Sequence, residues 1–205
     1  MPTPYFANNI RILTPQEIFK IYMYGEKPQS KAEFLFFTMG FRYNEGQDIL
    51  NHPEWFDPDN RIIHFRSNRR WDRALNYKDR DIYLSYWDVI NVHNYLMTNR
   101  SYIINPKHCN LTRNMGNWAK CIPNMDPIGV GVHCLRATRF VWLLKAFPKS
   151  IDSIIESMDY NPTKHYKIKM NDALIKDYIK VPFTKDEIAL TKAILHGWSG
   201  APTQY

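Results

Sequence analysis

The sequence lacks the features of a membrane-spanning or exported protein. No apolar run in its 205 residues approaches the roughly 18 residues that a helix needs to cross a bilayer. The first ten residues, MPTPYFANNI, contain neither the basic start nor the apolar stretch of a signal peptide. We therefore expect a protein that acts inside the cell, in the cytoplasm.

Cysteine is also scarce, since the chain has only three, at positions 109, 121 and 134. An odd and sparse count without a secretory signal argues against a disulfide framework. No CxxC or HxxxH pair is present to close a metal-ligand loop, so a zinc site is not expected. Cys134 is expected to pack as a small apolar residue.

Positive charge is in excess, with 27 Lys and Arg against 20 Asp and Glu, which gives a net charge of +7. Such an excess favours an acidic partner, and nucleic acid is the commonest one. The chain contains no internal repeat, and its length allows one domain with a substantial core.

Local patterns predict a mostly helical α+β fold with a small antiparallel β-sheet. Capping boxes at Thr14 and Glu17, and again at Thr184 and Glu187, predict the starts of a first and a last helix. Helical patterns between them occur in SKAEFLFF, which ends at a break near Gly40, and in WDVINVHNYLMTN, HCLRATRFVWLLKAF and SIDSIIESM. The runs RIIHF and DIYLSY predict a β-hairpin whose long basic tip is RSNRRWDRALNYKDR.

One predicted apolar helix carries a histidine and an arginine in its first two turns. In VGVHCLRATRFVWLL, His133 and Arg136 lie three residues apart, on one face of an otherwise apolar helix. Burying an arginine there is costly unless an anion lies opposite it. That anion is either a bound phosphate or a carboxylate of the core.

Four stretches, in this order, resemble the catalytic domain of the tyrosine recombinase, or phage integrase, family. FFTMGFRYNEG resembles the turn that carries the first catalytic arginine, here Arg42, followed by Glu45. KDRDIYLS resembles the strand that carries the catalytic lysine, HCLRATRFVWLL resembles the H-x-x-R box, and PTKHY resembles the T-x-x-Y that ends in the nucleophile. The resemblance runs from about Leu13 to Trp198, and YIKVPFTKDEIALTKAILHGW is similar to archaeal and archaeal-virus integrases in particular.

The resemblance implies the tyrosine recombinase catalytic-domain fold and a site-specific recombinase that integrates or excises a mobile element. It implies cleavage and rejoining of DNA through a 3′-phosphotyrosyl intermediate, without a metal or another cofactor. Arg42, held by Glu45, and Arg136 would clamp the scissile phosphate. Tyr166 would be the nucleophile, and His133 would accept its proton or hydrogen-bond the phosphate.

The general acid is less well defined by the resemblance. Lys78, just before the second strand, is the preferred candidate, because an arginine with a pKa above about 12 donates a proton poorly. The competing residues are Arg66, Arg69, Arg70 and Arg73. Tyr160 occupies the place of the family's usual histidine or tryptophan and would support the phosphate, although Tyr160 and Tyr178 are also rivals for the nucleophile.

The implied partner is double-stranded DNA at a recombination site, bound by four copies of the chain, so that the protein would be associated with the nucleoid or host DNA. Phosphate contacts by basic side chains set affinity more than sequence choice. The residues expected to make them are Arg69, Arg70, Arg73, Lys107, Arg113, Lys120, Arg139 and Lys164.

The sequence leaves the extent of the domain and the exact activity open. We expect residues 1–12 to form a short leader and residues 13–205 the catalytic domain, without the family's N-terminal DNA-clamping domain. The chain would then be a truncated piece, one part of a split integrase or a minimal enzyme. In place of a recombinase, the same residues would suit a type IB topoisomerase, a catalytically inactive recombinase-like protein or a non-enzymatic basic helical DNA-binding protein.

Overall fold

A computed structural model describes residues 3–66, 79–99, 110–158 and 173–201. These residues are mostly helical with small antiparallel sheets, which is an α+β arrangement. The helices are α1 (Pro15–Tyr24), α2 (Pro28–Phe37), α3 (Tyr43–Asn51), α4 (Tyr86–Asn99), α5 (Asn110–Cys121), α6 (Val132–Ala146), α7 (Ile151–Met158), α8 (Ala173–Ile179) and α9 (Lys185–Ile194). The strands are β1 (Tyr5–Ala7), β2 (Ile10–Ile12), β3 (Phe56–Asp57), β4 (Ile62–Phe65) and β5 (Arg80–Tyr83), and a 3-10 turn covers Pro53–Trp55.

Both predicted capping boxes are present. At the start of α1, the Thr14 hydroxyl accepts a hydrogen bond from the Glu17 N–H at 3.1 Å, and the Glu17 carboxylate accepts one from the Thr14 N–H at 2.9 Å. Thr184 and Glu187 make the same pair of bonds at the start of α9, at 3.2 and 2.7 Å. Each box satisfies two backbone donors that the first helical turn leaves unpaired. Short-range sequence therefore predicts these two helix starts correctly.

The expected leader is part of the folded core. Strands β1 and β2 pair antiparallel, and both Ile12, the last residue of β2, and Leu13, which follows it, are fully buried. The Leu13 N–H donates to the Thr138 hydroxyl at 2.9 Å, and the Trp142 indole donates to the Leu13 carbonyl at 3.0 Å. Strand β2 also packs against α6, so the β1–β2 hairpin, which the prediction assigns to a short leader of residues 1–12, lies against the core.

The predicted hairpin is also observed. Strands β3, β4 and β5 form a three-stranded antiparallel sheet in that order, with Ile62 opposite Tyr83 and Phe65 opposite Arg80. The Tyr83 N–H donates to the Ser157 hydroxyl at 3.2 Å, which joins β5 to the end of α7. The sheet is therefore held against the helices at the strand that begins where the basic tip ends.

Helix α6 runs through the centre of the described core and is buried on nearly all sides. Its Cys134 is 2% exposed, and burial raises the pKa of the thiol to about 11, so the thiol stays protonated at neutral pH. Cys134 therefore packs as an apolar residue, as predicted. Among the helices in the described ranges, none has the length and apolar character needed to cross a membrane.

Arg139 on α6 forms a buried ion pair with Asp88. The two guanidinium nitrogens lie 2.5 and 3.3 Å from the two carboxylate oxygens, and both side chains are nearly inaccessible to solvent. Asp88 also accepts a hydrogen bond from the Ser85 N–H at 2.7 Å, which caps α4. The prediction that Arg139 contacts DNA is therefore wrong, because its charge is used inside the core.

Replacing Asp88 by alanine should lower the free energy of unfolding by about 3–5 kcal/mol, because the Arg139 charge would stay buried without its partner. Urea denaturation followed by circular dichroism measures the change. Asp152→Ala, at an exposed acidic position in the first turn of α7, should cost less than about 1 kcal/mol. Equal losses in the two variants would contradict the importance of the pair.

Candidate functional site

Arg42 and Glu45 stand at the start of α3, where Arg42 is the N-cap residue. The Arg42 N–H donates to one oxygen of the Glu45 carboxylate at 2.6 Å, and the other oxygen lies 3.5 Å from the Arg42 guanidinium. The Arg42 side chain is 31% exposed, whereas that of Glu45 is 6% exposed. A buried carboxylate therefore pairs with the partly exposed Arg42 side chain, and the resemblance implies that Glu45 holds Arg42 in place.

The same carboxylate binds a second arginine, Arg80, at the first position of β5. Arg80 and Glu45 form an ion pair with both side chains almost completely buried. Arg80 also donates to the Ser157 carbonyl at 2.7 Å, near the end of α7. The buried Glu45–Arg80 pair therefore joins three elements: the start of α3, the start of β5 and the end of α7.

Arg80 was not predicted as a site residue, although the sequence contains a signal for it. Alternate residues of a strand point to the same side of a sheet, and Arg80 is two residues before the buried Ile82. An arginine on the inward side of a half-buried strand requires a carboxylate partner. That partner could not be identified from the sequence, because Glu45 lies 35 residues away.

Arg136 on α6 links the Arg42 turn to the end of α7. One guanidinium nitrogen donates to the Gly40 carbonyl at 2.7 Å, and the other donates to the Met158 carbonyl. Gly40 is two residues before Arg42, so chain geometry limits the distance from the Arg42 Cα to the first of these nitrogens to about 12 Å. The two arginines of the sequence prediction are therefore neighbours, even though about ninety positions separate them.

Glycine is required at position 40 for this arrangement. Its φ of +89° lies in the region that residues with a side chain rarely adopt. A Cβ there would lie 2.5 Å from the Met158 methyl carbon and 3.2 Å from the Arg139 Cγ. The absent side chain lets the turn between α2 and α3 pack directly against the middle of α6 and the end of α7.

His133 lies one turn before Arg136 and is exposed. It occupies the first turn of α6, which contains no acidic residue. The start of a helix carries partial positive charge from the aligned peptide dipoles and favours an anion. A histidine and an arginine added there increase the positive charge, and this arrangement suits an anionic ligand better than it suits the isolated helix.

The remaining predicted DNA contacts in the described ranges are Arg113 and Lys120, both exposed on α5. Arg113 donates to the Asn110 side chain at 3.0 Å. Arg66, a competing general acid, directly follows β4 and pairs with Asp81. The other predicted residues lie outside the described part of the chain: Arg69, Arg70, Arg73, Lys78, Lys107, Tyr160, Lys164 and Tyr166.

Two of these undescribed residues lie close in sequence to residues that contact the site. Lys78 is two positions before Arg80, and Tyr160 is two positions after Met158, to whose carbonyl Arg136 donates. Tyr178, the other rival nucleophile, is 1% exposed and packs edge-to-face on Phe140 with ring centroids 5.2 Å apart. Tyr178 is therefore a core residue in this fold and not an accessible nucleophile.

Comparisons with other proteins do not assign a family. No protein-family model, curated protein or solved structure matches this chain. Within the described ranges, no cluster of three or more His, Cys, Asp or Glu side chains is placed to hold a metal ion.

The buried pair at the centre of the site is open to a direct test. Arg80→Met should lower the free energy of unfolding by about 3–5 kcal/mol, because Glu45 would keep a buried charge with weaker compensation. The double variant Arg80→Met/Glu45→Gln should recover much of that loss, as measured by urea denaturation. In the control Arg66→Met, a 45% exposed arginine is replaced, and the cost should be under about 1 kcal/mol. Additive losses in the double variant would show that the two residues are not coupled.

Proposed function

We propose that this chain is the catalytic domain of a tyrosine recombinase that cuts and rejoins DNA at specific sites of a mobile element. The observation that carries the proposal is the double contact of Arg136 with the carbonyls of Gly40 and Met158. Through this contact, the turn that carries Arg42 lies directly against Arg136. The same contact reaches the last described residue before the segment that contains Tyr166.

The chemistry of phosphate recognition supports the proposal. Arginine stays charged at any physiological pH, and its planar fork matches two oxygens of one phosphate. Arg42 is held by a buried carboxylate and Arg136 by two backbone carbonyls, so both guanidiniums are oriented before a ligand arrives. Such preorganised charges stabilise the negative charge that builds up on the phosphate oxygens in the transition state.

The proposed step conserves the energy of the phosphodiester bond. The Tyr166 phenol oxygen forms a bond to phosphorus as the bond from phosphorus to the 5′ oxygen breaks. His133 takes the phenol proton, and Lys78 gives a proton to the leaving 5′ oxygen. The 5′ hydroxyl of a second strand then attacks the 3′-phosphotyrosyl bond and releases the tyrosine.

The proposed partner is duplex DNA, with four copies of the chain on two recombination sites. The net charge of +7 supports binding to the DNA backbone. Arg113 and Lys120, exposed on α5, are available for phosphate contacts of this kind. Because such contacts release counterions, the affinity should fall steeply as salt increases.

A nicked suicide DNA substrate tests the nucleophile, because loss of a short 5′ fragment traps the covalent intermediate. The wild-type chain should form an adduct that survives denaturation in detergent, and Tyr166→Phe should form none. Tyr24→Phe, at an exposed tyrosine of α1, should leave the adduct unchanged. An adduct that persists in Tyr166→Phe would contradict the assignment, and its complete absence in the wild type would favour an inactive DNA-binding protein.

Arg42→Ala should slow formation of the adduct by about 10²–10³-fold, which is the usual cost of removing one preorganised donor to a developing oxyanion. The single-turnover cleavage rate at saturating protein separates this loss from weaker DNA binding. Lys20→Ala, at an exposed cation of α1, should leave the rate unchanged. An Arg42→Ala rate within a factor of three of wild type would remove Arg42 from the reaction.

A recombinase and a type IB topoisomerase share this chemistry and differ in their products. On a plasmid with two sites, the recombinase should give excised circles. On a supercoiled plasmid without a site, it should cause no relaxation. Efficient relaxation without recombination would assign the chain to the topoisomerase reaction.

A further inference from the structure

A polar cavity of about 550 Å³ lies between α2 and α5, next to the end of α4. Its volume is within the range of small-ligand sites. It is separate from Arg42 and Arg136, because its lining comes from Glu26 and Lys27 ahead of α2, from residues 29–33 of α2, from Asn99 and from one face of α5.

The most unusual group in the cavity is the Glu33 carboxyl. The residue is 7% exposed, and within the described ranges its side chain makes no hydrogen bond and no ion pair. Burial raises its pKa to about 7. A buried carboxyl without a partner costs free energy, and one that faces a polar cavity is suited to accept hydrogen bonds from a ligand.

The lining residues differ in exposure, and we call the most buried of them the floor of the cavity and the most exposed ones its rim. Asn99, at the floor with Glu33, is 2% exposed. Asn114 and Trp118 are half-buried, and their spacing of four residues places them on the same face of α5. Lys27 and Arg113 are exposed at the rim.

This order of groups matches the parts of a nucleotide. A carboxylate at the floor accepts two donors side by side, an indole on the wall offers an aromatic surface, and two cations at the rim offer partners for a phosphate. Among the bases, guanine presents two adjacent N–H donors on its pairing edge, N1–H and the 2-amino group. The Trp118 ring is held by Phe34, next to Glu33, through an edge-to-face contact of 6.3 Å between centroids.

We propose that this cavity binds a guanine nucleotide, whose base donates to Glu33 and lies beside Trp118 while its phosphate meets Lys27 and Arg113. The ligand is either a free nucleotide or an unpaired guanine of a nucleic acid strand. The base–carboxylate contact is the same in both cases, so both sources require the Glu33 carboxylate.

Binding of two donors requires the ionised form of Glu33, so affinity should depend on pH. With the pKa of the empty site near 7, the ionised fraction rises about tenfold between pH 6 and pH 8, and the affinity should rise with it. The charged groups that face Glu33 within the described part of the cavity are Glu26 and Lys27 ahead of α2 and Arg113 on α5.

Isothermal titration calorimetry tests the site with guanosine monophosphate and inosine monophosphate, which lacks the 2-amino group. Guanosine monophosphate should bind at least tenfold more tightly, and Glu33→Gln should abolish both this preference and the pH dependence. Glu156→Gln, at an exposed glutamate of α7, is the matched control and should bind like the wild type. Single-stranded oligonucleotides with one guanine or one inosine test the second source.

Binding of the mononucleotide identifies a free ligand, whereas discrimination only within the oligonucleotide identifies an unpaired strand. If neither ligand shows a tenfold preference for guanine, or if Glu33→Gln binds like the wild type, the inference is overturned.

The free energy of unfolding, measured as a function of pH, shows whether Glu33→Gln is folded under the conditions of the binding experiment. Because the folded pKa of Glu33 exceeds the unfolded value of about 4.5, the folded state holds its proton more tightly, and stability falls as pH rises from about 4.5 to 7. Glu33→Gln should lose this fall and remain folded at pH 8. An unfolded Glu33→Gln protein would mean that the carboxyl supports the fold, and this would overturn the inference.

Discussion

The carboxylate of Glu45 is the point at which the site and the fold depend on each other. A buried carboxylate is stable only if hydrogen bonds and cations replace the water that it has lost. Glu45 obtains them from the N–H and guanidinium of Arg42 and from the guanidinium of Arg80. Because Arg80 also binds the Ser157 carbonyl, one charge fixes the relative positions of α3, β5 and α7. The electrostatic cost of burying Glu45 is offset by contacts that at the same time place the Arg42 side chain beside it.

Two arginines of α6 show which contacts can be predicted from the sequence and which cannot. Arg136 and Arg139 lie three residues apart, and both were predicted to face DNA. The structure pairs Arg139 with Asp88 inside the core, whereas half-buried Arg136 donates to the carbonyls of Gly40 and Met158. The alternative considered for Arg136, a core carboxylate as partner, is therefore true of Arg139. Spacing along a helix places residues on a face, but the partner opposite that face is set by long-range packing.

Local signals predicted the elements whose formation is decided within a few residues. The capping boxes at Thr14 and Thr184 and the β4–β5 hairpin are of this kind. Helix α5 was not predicted, because Gly116 and its several asparagines weaken the helical pattern and its packing against α1 and α2 compensates for them. The Arg80 contact and the burial of Glu33 beside the cavity also depend on residues far apart in sequence. The neighbourhood of Arg42 and Arg136 is long-range as well, and only the resemblance to a family indicated it.

The close approach at Gly40 has a consequence for how this chain can change over time. The methyl group of Met158 occupies the volume that a side chain at position 40 would need, and the backbone there has a positive φ. A mutation of Gly40 alone would push away the two segments that Arg136 joins. Among descendants of this sequence, positions 40 and 158 should therefore covary, with a larger residue at 40 tolerated only after a smaller one has replaced Met158 and the turn has changed its conformation.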